Sequence, residues 1–110
     1  MLLPNFENAE IPEDKIVNYL LSESHPSGRY KAEFFKIFGF NKNSWHVFKK
    51  ALLNHIQENN VIESSRTPFG VRYVVEGPMN APDGRFPRIR SVWFIEYNAE
   101  NPKLVTAYPS

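Results

Sequence analysis

The chain has no cysteine among its 110 residues. That excludes a disulfide framework, a thiolate zinc site and a cysteine nucleophile. It also lacks an excess of charge of either sign: 13 Lys and Arg stand against 12 Asp and Glu, a net charge of +1. Total charge therefore does not announce a nucleic-acid binder, and only local clustering could support one. Long apolar runs are absent. None approaches the roughly 18–20 residues that a membrane-spanning helix needs. Met1-Leu2-Leu3-Pro4-Asn5 lacks the charged start and apolar stretch of a secretory leader, so the expected location is the cytoplasm. Glycine is scarce, with 5 in the chain, and these form no phosphate-loop pattern. The acids show neither HExxH nor EF-hand spacing. His46 and His55 lie on opposite sides of one expected helix and make no zinc pair. No metal and no cofactor are expected.

What remains is a well-stocked core. Hydrophobic residues make up 42% and aromatic residues 15% of the chain, which argues against disorder. The length suits one domain over residues 1–110, with a helical half over about 11–59 and a sheet half over about 61–109. Pro12, Glu13 and Asp14 belong in a helix's first turn, and Ile16, Val17, Leu20 and Leu21 recur at helical spacing. A second helix is expected from about Arg29 to Phe38, with Tyr30, Phe34, Ile37 and Phe38 on its apolar face and Gly39 just past its end. Asn43 or Ser44 can cap a third, which carries Trp45, Phe48, Leu52 and Ile56 and runs to about Asn59. Beyond residue 60 the period changes from helical to alternating. Val71 to Val75, Ile89 to Tyr97 and Lys103 to Tyr108 read as strands, with a weaker one over Val61 to Ser64. The expected fold is α+β: three N-terminal helices packed on one face of a three- to four-stranded antiparallel meander.

Alternation assigns Ile89, Ser91, Trp93, Ile95 and Tyr97 to the buried face and Arg88, Arg90, Val92, Phe94 and Glu96 to the open one. Arg72 and Glu76 oppose Val71, Tyr73 and Val75. In the last strand the pattern does not decide between Leu104, Thr106 and Tyr108 on one side and Val105 and Ala107 on the other. The core is expected to join Leu20, Phe34, Phe38, Trp45, Phe48, Leu52, Trp93 and Ile95.

One segment carries chemistry. Ser24-His25-Pro26-Ser27-Gly28-Arg29-Tyr30-Lys31-Ala32 turns at Pro26 and Gly28 and then opens a helix. Its backbone N–H groups and positive dipole end lie beside three basic side chains, an arrangement suited to phosphate, with Gly28, Arg29 and Lys31 as the binding set. His25 is of the type that exchanges a proton near neutral pH, although a loop histidine also commonly caps a helix. Arg72 and Arg90, expected to be neighbours on the central strands, are candidates to stabilise a phosphate; cross-strand ion pairs with Glu76 or Glu96 are the alternative. Thr106 and Tyr108 could offer hydroxyls, or serve only as good strand formers.

The chain also resembles a known family over nearly its whole length. The resemblance rests on Leu3-Pro4-Asn5, Lys15 to Leu21, His25-Pro26-Ser27-Gly28-Arg29-Tyr30-Lys31-Ala32 with Phe35 and Gly39, Arg72-Tyr73, Ile89 to Trp93 and Pro102 to Tyr108. The family is the bacterial domain of unknown function 6883. It implies no activity, but its members occur alone or at the end of larger, toxin-like proteins. Helices followed by an antiparallel meander also resemble, at the level of fold, the barnase–EndoU–colicin–RelE ribonucleases, which work without a metal. Two functions are therefore expected in competition. One is a metal-independent, toxin-like endoribonuclease acting on RNA such as tRNA, with His25, Lys31, Arg72, Arg90, Thr106 and Tyr108 as its catalytic set. The other is a non-catalytic module that binds a partner such as an antitoxin or immunity protein through its open sheet face. Catalysis would require His25, Arg72, Arg90 and Thr106 to converge.

Overall fold

The computed structural model describes residues 1–26 and 28–110; Ser27 of the turn lies outside the described residues. After a 3₁₀ turn (Phe6–Asn8), α1 (Glu13–Lys15) runs straight into a π-helical turn (Ile16–Leu20). Next come α2 (Arg29–Ile37), a 3₁₀ turn (Lys42–Ser44) and α3 (Trp45–Glu58). Four strands complete the chain: β1 (Val61–Arg66), β2 (Gly70–Pro78), β3 (Arg88–Glu96) and β4 (Lys103–Pro109). They form one antiparallel sheet in the order β1-β2-β3-β4. This is the α+β arrangement expected from the change of period: three helical segments, then a four-stranded meander.

Each element has a local reason. Gly39 ends α2 with φ 102, a conformation that other residues adopt at a cost. Ser44 stands at the N-cap of α3 without a side-chain capping bond, and the 3₁₀ turn before it is capped by Asn41, whose side chain accepts the Ser44 N–H at 3.1 Å. The helix then tightens through a 3₁₀ turn before α3.

The core lies between the helices and one sheet face. Trp93, Phe35, Phe40, Phe48, Leu20, Leu52 and Ile89 are fully buried. Phe34, Phe38 and Trp45 pack only around its rim, and Ile95 is half-buried. The apolar face expected for α2 is rotated: Tyr30 is 70% and Ile37 66% exposed, whereas Ala32 and Phe35 are buried. The segment is aromatic on several sides, so spacing alone does not select the inward one. Ile89, Ser91 and Trp93 face inward, as expected. On β4 the alternation fails because Val105 is an extra residue between the pairs Val92–Thr106 and Trp93–Leu104. Such a bulge lets Leu104 and Ala107, three apart, both be buried.

The N-terminal segment straps the sheet's two sides. Met1 O accepts from Val61 N at 2.8 Å, Asn5 Nδ2 donates to Glu100 O at 2.8 Å, and Glu10 forms a parallel bridge with Lys103.

A lysine and two hydroxyls in a candidate active site

The candidate site forms where the π turn, the start of α2 and the bulged part of β4 meet. Gly28 makes the meeting possible. A Cβ there would lie 2.2 Å from the Tyr19 carbonyl oxygen, so only glycine lets α2 begin directly against the π turn. Three residues on, the Lys31 ammonium donates to the Tyr19 hydroxyl and, at 3.0 Å, to Thr106 Oγ1. The two hydroxyls also meet each other at 3.1 Å. Lys31 Nζ lies 4.8 Å from the centre of the Tyr19 ring, and Lys15 Nζ lies 5.3 Å from it. Burial raises the Tyr19 phenol's pKa; the hydrogen bonds from Lys31 and Thr106, with the charges of Lys31 and Lys15, outweigh it and hold the phenol below its usual value.

His25 stands on the same cleft. Its ring meets the Tyr19 ring edge-on, with centroids 4.9 Å apart. Asp14, Lys15, Asn18, Tyr19, His25 and Thr106 line this cleft of about 490 Å³. Asp14 is engaged by Asn18, whose amide donates to it at 2.5 Å. Among the described residues, neither Lys15 nor Lys31 forms an ion pair with a carboxylate.

The turn itself is differently occupied from the expected phosphate site. Gly28 N–H donates to His25 Nδ1 at 3.1 Å and also lies 3.1 Å from His25 O; Arg29 N–H donates to the same carbonyl at 3.0 Å. His25 thus caps α2 with its own ring and backbone. A neutral ring in this arrangement carries its proton on Nε2. Arg29 turns away and lies over Tyr30, 5.0 Å from its centroid. Glu23 does not fill the turn; it pairs with Lys36 at 2.8 Å.

The structure brings His25, Lys31 and Thr106 together and sets the other expected residues apart on the open sheet face. Arg72 and Arg90 are not neighbours. Arg72 stands opposite Phe94 and Arg90 opposite Glu76, four residues along the same strand, roughly 13 Å. Each has a carboxylate: Arg72 meets Glu63 at 3.8 Å and Arg90 meets Glu76 at 3.0 Å. That bond to Glu76, and a further one to Tyr108, hold the Arg90 guanidinium above its usual pKa. Tyr108 pairs with Arg90 across the strands, two residues from Thr106. Tyr19 does not stand out in the sequence, where it is one residue of the block Lys15 to Leu21. The block Lys15 to Leu21 was a signal for it, since it puts a lysine and a tyrosine one turn apart.

Among the described residues no group of three or more His, Cys, Asp or Glu side chains is placed to hold a metal ion. Among the described residues, no helix is long and apolar enough to cross a membrane. His46 is exposed, and His55 is buried in the core, away from the cleft.

Fold and site together describe a small α+β domain in which helices cover an antiparallel meander and a lysine–hydroxyl cluster sits at the bulged edge strand. The chain belongs to the family described as a domain of unknown function, DUF6883, which matches residues 2–110. No curated protein matches it in sequence. Among solved structures, it is similar to a chain of the "Contact-dependent growth inhibition toxin - immunity protein complex from Klebsiella pneumoniae 342". That similarity has a TM-score of 0.70 at 15% identity and covers 91% of this chain and 98% of the other. At that identity the likeness is one of fold.

Proposed function

We propose that this domain is a toxin-like, metal-independent endoribonuclease that cleaves RNA by attack of a ribose 2′-hydroxyl on the adjacent phosphate. The observation that carries this reading is the Lys31 ammonium, bonded to the Tyr19 and Thr106 hydroxyls, both of which line one cleft with His25. A cation held by hydroxyl acceptors, without a carboxylate partner among the described residues, is ready for an anion.

In the reaction, Tyr19, deprotonated with the help of Lys31, takes the proton from the 2′-hydroxyl. The 2′-oxygen forms a bond to phosphorus, and the bond to the departing 5′-oxygen breaks. Lys31 gives that oxygen a proton, and the direct Lys31–Tyr19 hydrogen bond returns the proton from the phenol to the amine. Thr106 donates to a phosphate oxygen, and His25 donates through Nε2. The products are a 2′,3′-cyclic phosphate and a 5′-hydroxyl. Such an enzyme works on RNA in the cytoplasm. The likeness to a chain from a toxin–immunity complex supports a toxin-like role and, with it, a protein partner that restrains the domain.

The test is cleavage of total tRNA with and without EDTA. Cleavage that survives EDTA, leaves cyclic ends and spares DNA supports the reading. Lys31→Ala should lose roughly 10²–10³ in rate, as removal of an oxyanion donor does. If the intact protein cleaves no RNA, or if Lys31→Ala cleaves it fully, the reading is wrong. An inactive chain that binds an immunity-type protein through its sheet face would be the interaction module instead.

A further inference from the structure

On the sheet face that carries Arg72 and Arg90, Val74 and Val92 are buried while the row beyond Thr106 is more exposed. Across the strands, Arg72 stands opposite Phe94 and Phe94 opposite Lys103, which places an aromatic ring between two cations on one row. The next row holds Val74, Val92 and Thr106. Phe94 is thus two residues along β3 from the partner of Thr106, a Cα separation of roughly 8 Å from the catalytic hydroxyl's residue.

The Phe94 ring leans across β2. Its Cζ reaches within 2.8 Å of where a Cβ on Gly70 would stand, so the missing side chain of Gly70 gives the ring its place. Beyond it opens a cleft of about 460 Å³ lined by Pro68, Phe69, Phe94, Glu96, Tyr97 and Asn98. Phe69 is 76% and Tyr97 58% exposed. These rings are held in place. Tyr97 donates its hydroxyl to Thr67 O at 2.9 Å, and Thr67 Oγ1 accepts the N–H groups of Phe69 and Gly70, each at 3.1 Å.

We propose that this cleft is a subsite for one unpaired nucleobase of an RNA single strand, close to the cleaved linkage. It rests on the reading of RNA as the substrate. The lining chemistry selects the base rather than the phosphate. No cation lines the cleft and one carboxylate does, so an anion is disfavoured there. An uncharged heterocycle stacks on the aromatic rings and offers N–H donors to Glu96 and Asn98. Arg72 and Lys103, flanking Phe94 in its row, are where the backbone on either side would be met.

The test uses a fluorescent oligoribonucleotide, 2′-O-methylated throughout so that it cannot be cleaved, with binding followed by anisotropy. The intact chain should bind the single strand more tightly than the same sequence as a duplex. Phe94→Leu should weaken binding about tenfold, within the range of one lost base stack, and Phe94→Trp should restore it. Phe69→Ala, at a mostly exposed ring, should also weaken binding while leaving the melting temperature in place. An oligonucleotide with a single abasic nucleotide at the right position should lose affinity for the intact chain and lose little more for Phe94→Leu. If the intact chain cleaves RNA but the Phe94 and Phe69 variants bind like it, the subsite is wrong and the catalytic reading stands. If the chain binds through Phe94 yet cleaves nothing, the catalytic reading is wrong and the subsite stands. Absence of single-strand binding, or preference for the duplex, overturns the subsite.

Discussion

Two side chains show how environment sets acid–base behaviour at the scale of the residue. The hydrogen bonds from Lys31 and Thr106 and the charges of Lys31 and Lys15 favour the Tyr19 phenolate, so the rising limb of the pH–rate profile, where the base loses its proton, should lie below the pH at which a free tyrosine ionises. Tyr19→Phe should remove that limb and most of the rate; an unchanged profile would take Tyr19 out of the mechanism. His55 shows the opposite case. It is buried with Nδ1 at 3.2 Å from Ser91 Oγ and Nε2 at 3.2 Å from Gly77 O, while Trp93 Nε1 donates to Ser91 Oγ at 2.8 Å. One proton arrangement satisfies all of them: Nε2–H to the carbonyl, the serine hydroxyl to Nδ1, the indole to the serine. Burial lowers the His55 pKa from 6.5 to about 4. The unfolded chain therefore binds this proton first, and stability falls as the pH drops from about 6.5 towards 4, by roughly 3 kcal/mol in total. Urea titrations across that range should show the slope, and His55→Gln should flatten it. The sequence made His25, Lys31 and Thr106 legible as candidates because charge and hydroxyl types stand out from their neighbours. It hid Tyr19, since a tyrosine on a helix looks the same whether it packs or reacts.

Spacing at the scale of the element revealed where helices and strands are, but not how they are turned. The π turn at Ile16–Leu20 and the bulge at Val105 each shift the side chains that follow relative to a regular pattern. These two irregular pieces, each contributing one hydroxyl, flank Lys31, which explains why the cluster was only half visible beforehand. The aromatic excess of α2 hid its buried face in the same way. Gly28 links element to site. Its φ of −93 suits any residue, so the demand is for space alone. Gly28→Ala should push the start of α2 off the Tyr19 carbonyl. The expected result is a destabilisation of about 1–3 kcal/mol, as for an overpacked core, together with loss of activity as Lys31 moves from Thr106. A Gly28→Ala protein with the melting temperature and rate of the intact chain would show that the contact yields without consequence.

The molecule as a whole is a meander whose strands each pair with the next in sequence, and that much was legible from the four strand signals and the turns between them. The strap made by residues 1–10 was not, because its bonds are to backbone groups far along the chain and leave no periodic trace. Leu3, only 1% exposed, anchors that strap in the core. Leu3→Ala should cost about 2.7–5 kcal/mol, read as a lower midpoint in denaturant.

The strap also sets an order of events during folding. Hairpins between successive strands close short loops and can form early. The bonds from Asn5 to Glu100 and from Tyr19 and Lys31 to Thr106 span 95, 87 and 75 residues and close long loops. Contacts of that span are expected to form after the rate-limiting step, so Leu3→Ala and Asn5→Ala should speed unfolding and leave the refolding rate nearly unchanged. Stopped-flow chevrons would show it, and a slowed refolding arm would place the strap in the nucleus. The lysine–hydroxyl cluster would then be assembled by late closures of the chain, so a nascent or partly folded domain carries its sheet before it carries this cluster.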